Sequence, residues 1–451
     1  MFFFRLLWSV LLVSSTIAAV AAQSASVVGS VASVQKSPAE FVVRVTADRA
    51  DALYKIGEAI IFAVAVTHLG VPVPSSEAEW SLTKDGVAPI QRGRVRIEQG
   101  RGTIFGRLDE PGFLQCRVTV SVEGQKFHAA AGAGVSPTEI QPSAPVPADF
   151  DSFWTGKKQA LATVAIHAQL AAVNSARDGV EAFDVKVDSL GAPVSGYYAR
   201  PTGSKPRSRP AVLTVHGAGV RSASISTAAG WAREGALSLD INAHGIPNGR
   251  EASFYENLAA GELKDYRRNG LQSRDTIYFL GMFLRLVRAI DFLTSQPEWD
   301  GRTVVVYGSS QGGAQAIAAA GLDPRVTFFV AGVPAMADHT GALVGRIAGW
   351  PKFVGTEVKP TAEILASIPY YDVVNFALRA KAPGFFTVGF IDTTCPPTSV
   401  YAAYNALSAP KDIFNDITSG HTNTQAASAA MRAAALRHLA AQQSAGAMRR
   451  E

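Results

Sequence analysis

The segment that sets the architecture of this chain reads Val304-Val305-Val306-Tyr307-Gly308-Ser309-Ser310-Gln311-Gly312-Gly313. A β-branched run reaches a Gly-x-Ser-x-Gly motif and then passes into an alanine-rich stretch at 314–318. This order predicts a strand, a sharp turn and a helix, with Ser310 at the apex of the turn. Gly308 and Gly312 stand where a side chain would clash with the crowded backbone. The segment therefore predicts a nucleophile elbow above a parallel sheet.

Two later residues supply the partners that a nucleophilic serine needs. In α/β-hydrolases the chain order is Ser, then Asp or Glu, then His. The predicted strand 385–391 delivers Asp392 at its C-terminal end, where open α/β sheets gather functional groups, and His421 lies in a loop near the C-terminus. We predict that His421 accepts the proton of Ser310 and that Asp392 orients His421. Asp416 competes for the acid role, but it lies inside the last predicted strand and close in sequence to His421.

The oxyanion of an acyl-transfer reaction needs two backbone N–H donors. We expect one from Gln311, directly after the nucleophile, and one from Ala218, in the loop that follows the predicted strand 212–215. The same loop contains Gly217-x-Gly219, which mimics the start of a dinucleotide-binding motif. Ser222 stands where the third glycine is required, so we expect no cofactor.

Three further histidines, His216, His244 and His339, are candidates for the lining of the substrate pocket. For His216 and His244, at predicted strand ends, a structural role is favoured, and the role of His339 stays open. The sequence has no His-Glu-x-x-His or Cys-x-x-Cys cluster, so we predict no metal site.

The length of 451 residues favours two domains. Short strand-like runs separated by turn signals predict a β-sandwich over residues 35–135, and its Tyr54, Trp80 and Pro111-Gly112 patterns resemble immunoglobulin-like modules of secreted bacterial enzymes. A proline-rich linker is predicted at 136–148. Alternating strands and helices predict an α/β-hydrolase domain at 149–445, including helices at 227–234, 279–295 and 423–443.

The N-terminus reads as an export signal, residues 1–22, with Arg5, a short apolar run and a small-residue ending. We therefore predict a secreted or periplasmic protein without stable membrane insertion once the signal is cleaved. The formal charge of +5 comes from scattered basic residues, which does not favour nucleic-acid binding. Two cysteines, Cys116 and Cys395, rule out a disulfide framework. The sequence leaves open whether the protein forms oligomers.

From about residue 145 onward the chain resembles the acetyl xylan esterase and cephalosporin-C deacetylase family of carbohydrate esterases. The resemblance rests on Pro147-Ala148-Asp149-Phe150-Asp151-Ser152-Phe153-Trp154, on the glutamine within Gly308-Ser309-Ser310-Gln311-Gly312-Gly313, and above all on Asp392-Thr393-Thr394-Cys395-Pro396-Pro397. The family's acid heads that last signature, so the resemblance favours Asp392 over Asp416. It implies a serine carboxylesterase that removes acetyl groups from carbohydrate of the xylan or xylo-oligosaccharide type.

The chain departs from the family at Ala218, where an aromatic residue is usual, at Thr422, where an acidic residue is usual, and at the Asn242-Ala243-His244-Gly245 turn. These changes spare backbone donors, so they put the substrate in doubt rather than the hydrolysis. Two alternatives remain. One is a prolyl-oligopeptidase-like serine peptidase, which shares the elbow and the chain order. The other is a carbohydrate-binding or scaffold protein with an inert hydrolase domain.

Overall fold

A computed structural model describes residues 41–122, 124–355 and 360–448 of the chain. The predicted export signal and the first residues of the predicted β-sandwich, 35–40, lie outside these ranges. Among the described residues no helix combines the length and apolar character that crossing a bilayer requires.

The N-terminal part of the described chain is built from strands alone. These strands are β1 (Phe41–Ala47), β2 (Leu53–Tyr54), β3 (Ile60–His68), β4 (Val71–Pro72), β5 (Ser75–Lys84), β6 (Pro89–Glu98), β7 (Arg101–Gly106), β8 (Gly112–Val122) and β9 (Gln125–Val135). Side chains of a strand alternate between faces, and β3 follows this rule by burying Ile60, Phe62, Val64 and Val66. These residues pack against the buried face of β8, so a separate apolar core forms between two β layers.

The two layers are connected at one hairpin. The ladder joins all nine strands in the order β1-β3-β7-β6-β5-β8-β9-β2, with β4 paired to β3. We take β1, β3, β4 and β7 as one layer and the other five strands as the second. Between them the ladder records a single pair, Glu98 with Arg101, at the β6–β7 turn. The arrangement is a β-sandwich that precedes the α/β part, as the sequence predicted.

The second part mixes strands and helices. Its strands are β10 (Ala168–Val173), β11 (Val180–Val187), β12 (Val194–Pro201), β13 (Arg209–Val215), β14 (Leu237–Ile241), β15 (Trp299–Ser309), β16 (Phe328–Gly332), β17 (Gly384–Gly389) and β18 (Lys411–Asp416). Its helices are α1 (Phe150–Ala162), α2 (Ile225–Arg233), α3 (Ala252–Ala260), α4 (Phe279–Ser295), α5 (Gln311–Leu322), α6 (Ala362–Ser367), α7 (Val373–Ala377), α8 (Pro397–Ala406) and α9 (Gln425–Met448).

The strands of the second part form one sheet in the order β10-β11-β12-β14-β13-β15-β16-β17-β18. The first four strands pair antiparallel, and every pair from β14 to β18 is parallel. The parallel strands are nearly continuous apolar runs, such as β13 and β17, because helices cover both faces of the sheet. Their C-terminal ends meet at one edge, which gathers the loops that carry Ser310, Asp392 and His421.

The proline-rich segment between the two parts is fixed by hydrogen bonds along its length. The Ser143 amide donates to Asp338 Oδ1 at 2.7 Å, and Arg346 donates to the Gln141 carbonyl at 2.8 Å. The amide side chain of Asn405 donates to two carbonyls, Pro137 and Ile140, each at 2.9 Å. The prolines set an extended path, and the α/β part holds that path in place.

Candidate active site

The turn between β15 and α5 holds Ser310 in an uncommon backbone conformation, φ 57° and ψ −121°. Few non-glycine residues adopt a positive φ, and such strain persists only where surrounding structure enforces it. A Cβ on Gly308 would stand 2.3 Å from the Gly312 carbonyl oxygen, and one on Gly312 would stand 2.2 Å from the Val215 oxygen. The two glycines therefore allow the elbow to pack directly against strand β13.

A hydrogen-bonded chain connects Ser310 to His421 and Asp392. Ser310 Oγ lies 2.9 Å from His421 Nε2, and His421 Nδ1 lies 2.8 Å from Asp392 Oδ2. Asp392 is fully buried and His421 is partly exposed. Because Nδ1 donates to the carboxylate, Nε2 is left as the acceptor for the serine proton. This arrangement suits general-base activation of the hydroxyl.

The carboxyl group of Asp392 is fixed on its second oxygen as well. Asp392 Oδ1 accepts from the backbone N–H groups of Thr394 and Cys395, at 2.7 and 2.9 Å. Asp416, the competing acid, instead accepts from Thr424 Oγ1 at 2.6 Å, just before helix α9. The structure therefore places Asp392 against His421 and gives Asp416 a partner elsewhere.

The loop at 216–219 lies beside Ser310, which is the position that an oxyanion loop requires. A Cβ on Gly217 would stand 3.5 Å from Ser310 Cβ. The following residue, Ala218, is partly buried, and Gln311 opens helix α5, whose N-terminal dipole favours negative charge. The N–H groups of Gln311 and Ala218 stay the predicted oxyanion donors.

His216 and His244 brace this loop instead of presenting free ring nitrogens to the pocket. His216 Nδ1 lies 2.6 Å from the Gly217 carbonyl, and its Nε2 accepts from the Ala243 amide at 3.1 Å. His244 Nε2 lies 3.1 Å from the Gly219 carbonyl, and its Nδ1 lies 2.8 Å from the Tyr278 hydroxyl. Burial lowers the pKa of His216 to about 3 and that of His244 to about 4. Both rings are therefore neutral, and their hydrogen bonds connect the 216–219 loop with the 242–245 turn.

His339 is buried, and its contacts are those of a packing residue and not of a catalytic one. Its Nε2 lies 3.4 Å from the Tyr371 carbonyl, and its ring packs edge-on against Phe353. Burial lowers its pKa to about 3, so the ring is neutral. A packing role accounts for this histidine.

Three contacts of the site could not be predicted from the sequence. Tyr266 donates to Gln311 Oε1 at 2.5 Å, which fixes the side chain next to the nucleophile. Asn423 bridges Thr387 on β17 and Ser309 beside the elbow. Neither Tyr266 nor Asn423 belongs to a motif, so their role becomes visible only when the structure brings distant segments together.

The turn that departs from the family pattern is held by its own asparagine. Asn242 Oδ1 accepts from the N–H groups of His244, Gly245 and Ile246. An asparagine side chain that bonds successive amides stabilises a turn. The turn that supports the oxyanion loop is therefore well defined despite the sequence change.

One group of described residues could hold a metal ion, namely Asp392, Cys395 and His421, whose ligand atoms lie within 4.8 Å of one another. Two of the three are already hydrogen-bonded to each other. Burial raises the pKa of the Cys395 thiol, whereas a metal ligand must be a thiolate. The chemistry of this donor set fits the serine–histidine–carboxylate chain better than a metal.

The parallel sheet, the strained serine at a strand–helix turn and the histidine bonded to a buried carboxyl define an α/β-hydrolase with the arrangement typical of serine hydrolases. Comparison with known proteins narrows this class. The sequence model of the acetyl xylan esterase family matches residues 138–435. The chain belongs to this family, and it is a carboxylic ester hydrolase.

Individual relatives agree with this assignment. The acetyl esterase Axe7A of Xylanibacter ruminicola is 35% identical over 383 residues, which span 83% of this chain and 85% of that protein. An acetyl xylan esterase from Paenibacillus sp. R4 has 27% identity and a TM-score of 0.59, covering 68% of this chain and 98% of that one. Acetyl xylan esterase 1 from Thermoanaerobacterium sp. JW/SL YS485, at 23% identity and a TM-score of 0.54 over 66% of this chain and 96% of that one, shares the fold.

Proposed function

We propose that the protein is an exported serine carboxylesterase that removes acetyl groups from carbohydrate of the xylan or xylo-oligosaccharide type. Membership of the acetyl xylan esterase family supports the acetyl group as the acyl part of the substrate. The hydrogen-bonded chain Ser310–His421–Asp392 is the observation that carries the mechanism. Export rests on the signal pattern of residues 1–22.

The proposed reaction proceeds through an acetyl-enzyme. Ser310 Oγ attacks the acetyl carbonyl carbon while His421 Nε2 takes the hydroxyl proton, and the N–H groups of Gln311 and Ala218 hold the oxyanion. His421 then gives its proton to the departing sugar oxygen, which leaves as a hydroxyl. Water attacks the acetyl group on Ser310, losing a proton to His421, and collapse releases acetate and returns the proton to Ser310. Asp392 stabilises the imidazolium in both halves.

The experiment that tests this proposal compares wild type with Ser310→Ala. We expect wild type to release acetate from acetylated xylan, and we expect the variant to lose at least about 10³-fold in kcat while its circular dichroism stays unchanged. Ser309→Ala serves as a control serine in the same turn. Wild-type turnover in Ser310→Ala would exclude Ser310 as the nucleophile.

A substrate panel separates the proposal from the peptidase alternative. p-Nitrophenyl acetate and acetylated xylo-oligosaccharides are tested beside aminoacyl-proline anilides. We expect turnover of the acetyl esters and little of the anilides. Preferential cleavage of the anilides would favour the peptidase.

A further inference from the structure

The turn between β5 and β6 is an Asp-Gly hairpin turn, which hairpins normally display to solvent. Asp85 and Gly86 have φ values of 52° and 80°, and the Val87 amide closes the turn on the Lys84 carbonyl at 3.0 Å. Yet Asp85 is fully buried. The Asp85 side chain is therefore covered although Val87 of the same turn is exposed, and the residues that cover Asp85 belong to the α/β part.

The cover is the segment that carries Asp392. We call residues 390–398, which end in the first turn of α8, the acid loop. Asp85 Oδ2 accepts a hydrogen bond from Thr398 Oγ1 at the far end of this loop. A Cβ on Gly86 would stand 3.1 Å from the methyl group of Thr393, one residue after the acid.

The near end of the acid loop rests on the neighbouring strands β8 and β9. Gln115 Nε2 donates to the Phe390 carbonyl at 3.2 Å, and Gln115 is buried. A Cβ on Gly132 would stand 2.5 Å from the same carbonyl oxygen. The ring of Phe113 packs edge-on against that of Phe390 at a centroid distance of 4.9 Å. Both ends of the acid loop are therefore held by the β-sandwich.

Asp392 lies between these two anchors. Its carboxyl group depends on the loop itself, because Oδ1 accepts from the amides of Thr394 and Cys395. A shift of the loop backbone would thus carry the carboxyl group away from His421. Misplacing a catalytic group by about 1 Å costs on the order of 10²-fold in rate.

The interface between the β-sandwich and the acid loop also buries polar atoms. An interface that served only to hold the two parts together would not need them. Among the described residues, Asp85 Oδ1 and Gln115 Oε1 are buried without a hydrogen-bond partner. Burying such atoms costs free energy, and apolar side chains could fill the same space more favourably. Their use here is consistent with a role in fixing geometry.

We propose that the β-sandwich is a positioning element of the active site, in which Asp85 and Gln115 hold the acid loop so that Asp392 meets His421. The inference rests on the proposed role of Asp392 as the acid. It assigns the N-terminal domain a task in turnover instead of in carbohydrate binding. The Paenibacillus esterase is matched over 98% of its length by 68% of this chain, so nearly a third of this chain has no counterpart there.

The test uses the full-length protein and compares Asp85→Ala with Asp85→Asn. The alanine variant removes the acceptor for Thr398, whereas asparagine keeps an acceptor oxygen of the same shape. We expect Asp85→Ala to lower kcat for p-nitrophenyl acetate about tenfold with KM nearly unchanged. We expect Asp85→Asn to retain most of the activity. If the contact only held the two parts together, its loss would not lower kcat while leaving KM nearly unchanged.

Ile104→Ala is the control for lost stability. Ile104 is buried in the core of the β-sandwich and belongs to a cluster separate from that of the α/β part. This variant destabilises the domain by a cavity without touching the acid loop. If it lowers kcat as much as Asp85→Ala does, or if folded Asp85→Ala keeps wild-type kcat, the proposal is overturned.

A double-mutant cycle with Thr398→Val tests the contact directly. We expect the double variant Asp85→Ala/Thr398→Val to lose no more activity than the worse of the two single variants. Additive losses would show that the two residues act independently.

The rate at which a fluorophosphonate labels Ser310 gives a readout that needs no sugar substrate. We expect labelling of Asp85→Ala to slow in parallel with kcat, because phosphonylation uses the same base. If wild type labels rapidly but releases no acetate from glycans, the proposed substrate is wrong while the labelling rates still test the role of Asp85. Equal labelling rates in wild type and Asp85→Ala would refute the positioning role.

Discussion

Asp392 and Asp416 stand at the ends of neighbouring parallel strands, but they have different partners. Asp392 follows β17 and lies against His421 Nδ1, whereas Asp416 ends β18 and accepts from Thr424. Both side chains are buried, so burial alone does not distinguish them. The hydrogen-bond partner decides which carboxyl group can stabilise an imidazolium.

Replacing each carboxyl by its amide tests this distinction. Asp392→Asn favours the wrong histidine tautomer, so we expect kcat to fall on the order of 10³- to 10⁴-fold. Asp416→Asn should keep kcat within a few-fold and lower the melting temperature instead, because it weakens the contact with Thr424. The measurement is steady-state hydrolysis of p-nitrophenyl acetate beside thermal denaturation. A larger loss of kcat in Asp416→Asn would reverse the assignment.

At the residue scale the sequence predicted which side chains would meet Ser310, because chain order in this fold constrains where acid and base can lie. It could not predict Tyr266 or Asn423. Their contacts with Gln311 and Ser309 depend on loops that sequence patterns do not place. The sequence favoured a structural role for His216 and His244, but it could not predict that both rings would contact the 216–219 loop.

Strand β13 and the elbow pack backbone against backbone at the site. The Gly312 position leaves no room for a side chain, since a Cβ there would stand 2.2 Å from the Val215 carbonyl oxygen. The Val215 oxygen belongs to the backbone and the Cβ would be fixed to its Cα, so neither atom can swing away as the end of a flexible side chain could. Any substitution at Gly312 must therefore move α5 relative to the oxyanion loop.

We expect Gly312→Ala to lower kcat by about 10²-fold or more, because the shift separates Ser310 from the oxyanion donors. Gly156→Ala is the matched control, the same change in a helix, where no atom lies within 4 Å of the added methyl. That variant should keep full activity and gain up to about 1 kcal/mol in free energy of unfolding. Kinetics and urea denaturation report both effects. Unchanged kcat in Gly312→Ala would contradict the packing described for the elbow.

The sequence predicted helix boundaries well where a long apolar face repeated at helical spacing. The predicted helix 279–295 coincides with α4, and the predicted helix 227–234 lies within a residue or two of α2. The last helix starts and ends later than predicted, as Gln425–Met448. Short elements between the elbow and Asp392, such as α6 and α7, were missed because five or six residues give too little pattern to detect.

Across the whole molecule, the β-sandwich and the α/β part share buried surface as well as a chain. Phe113 and Ala52 of the β-sandwich belong to the same apolar cluster as residues of the α/β part. The sequence predicted two domains, but an Asp-Gly turn gives no sign that it will be buried. The partner of Asp85 lies 313 residues away, and such pairings are set by tertiary packing.

The buried carboxyl at this contact should make stability depend on pH. Burial raises the pKa of Asp85 to about 6, offset in part by Thr398, Lys84 and Arg346 and reinforced by Asp338. Because the folded-state pKa lies above the unfolded value, Asp85 contributes stability that is present below about pH 4 and lost as pH rises through about 6.

Asp85→Asn removes this titration. We expect wild type to lose up to about 3 kcal/mol relative to Asp85→Asn between pH 4 and pH 7, measured by urea unfolding at each pH. Groups that titrate alike in wild type and Asp85→Asn contribute equally to both free energies of unfolding, so their contributions cancel in the difference. A difference that stays constant with pH would mean that folding does not raise the pKa of Asp85.

The long separation between Asp85 and Thr398 also bears on how the protein acquires activity. Contacts between segments far apart in sequence form late in folding, since closing a long loop costs entropy before the contact repays it. The β-sandwich precedes the acid loop in the chain, so it can fold as a unit before the acid loop docks on it. The Asp392 carboxyl group would then reach its place when the last strands dock on a surface already formed. If Asp392 is the acid, ester hydrolysis would be among the last properties to appear in a newly made chain.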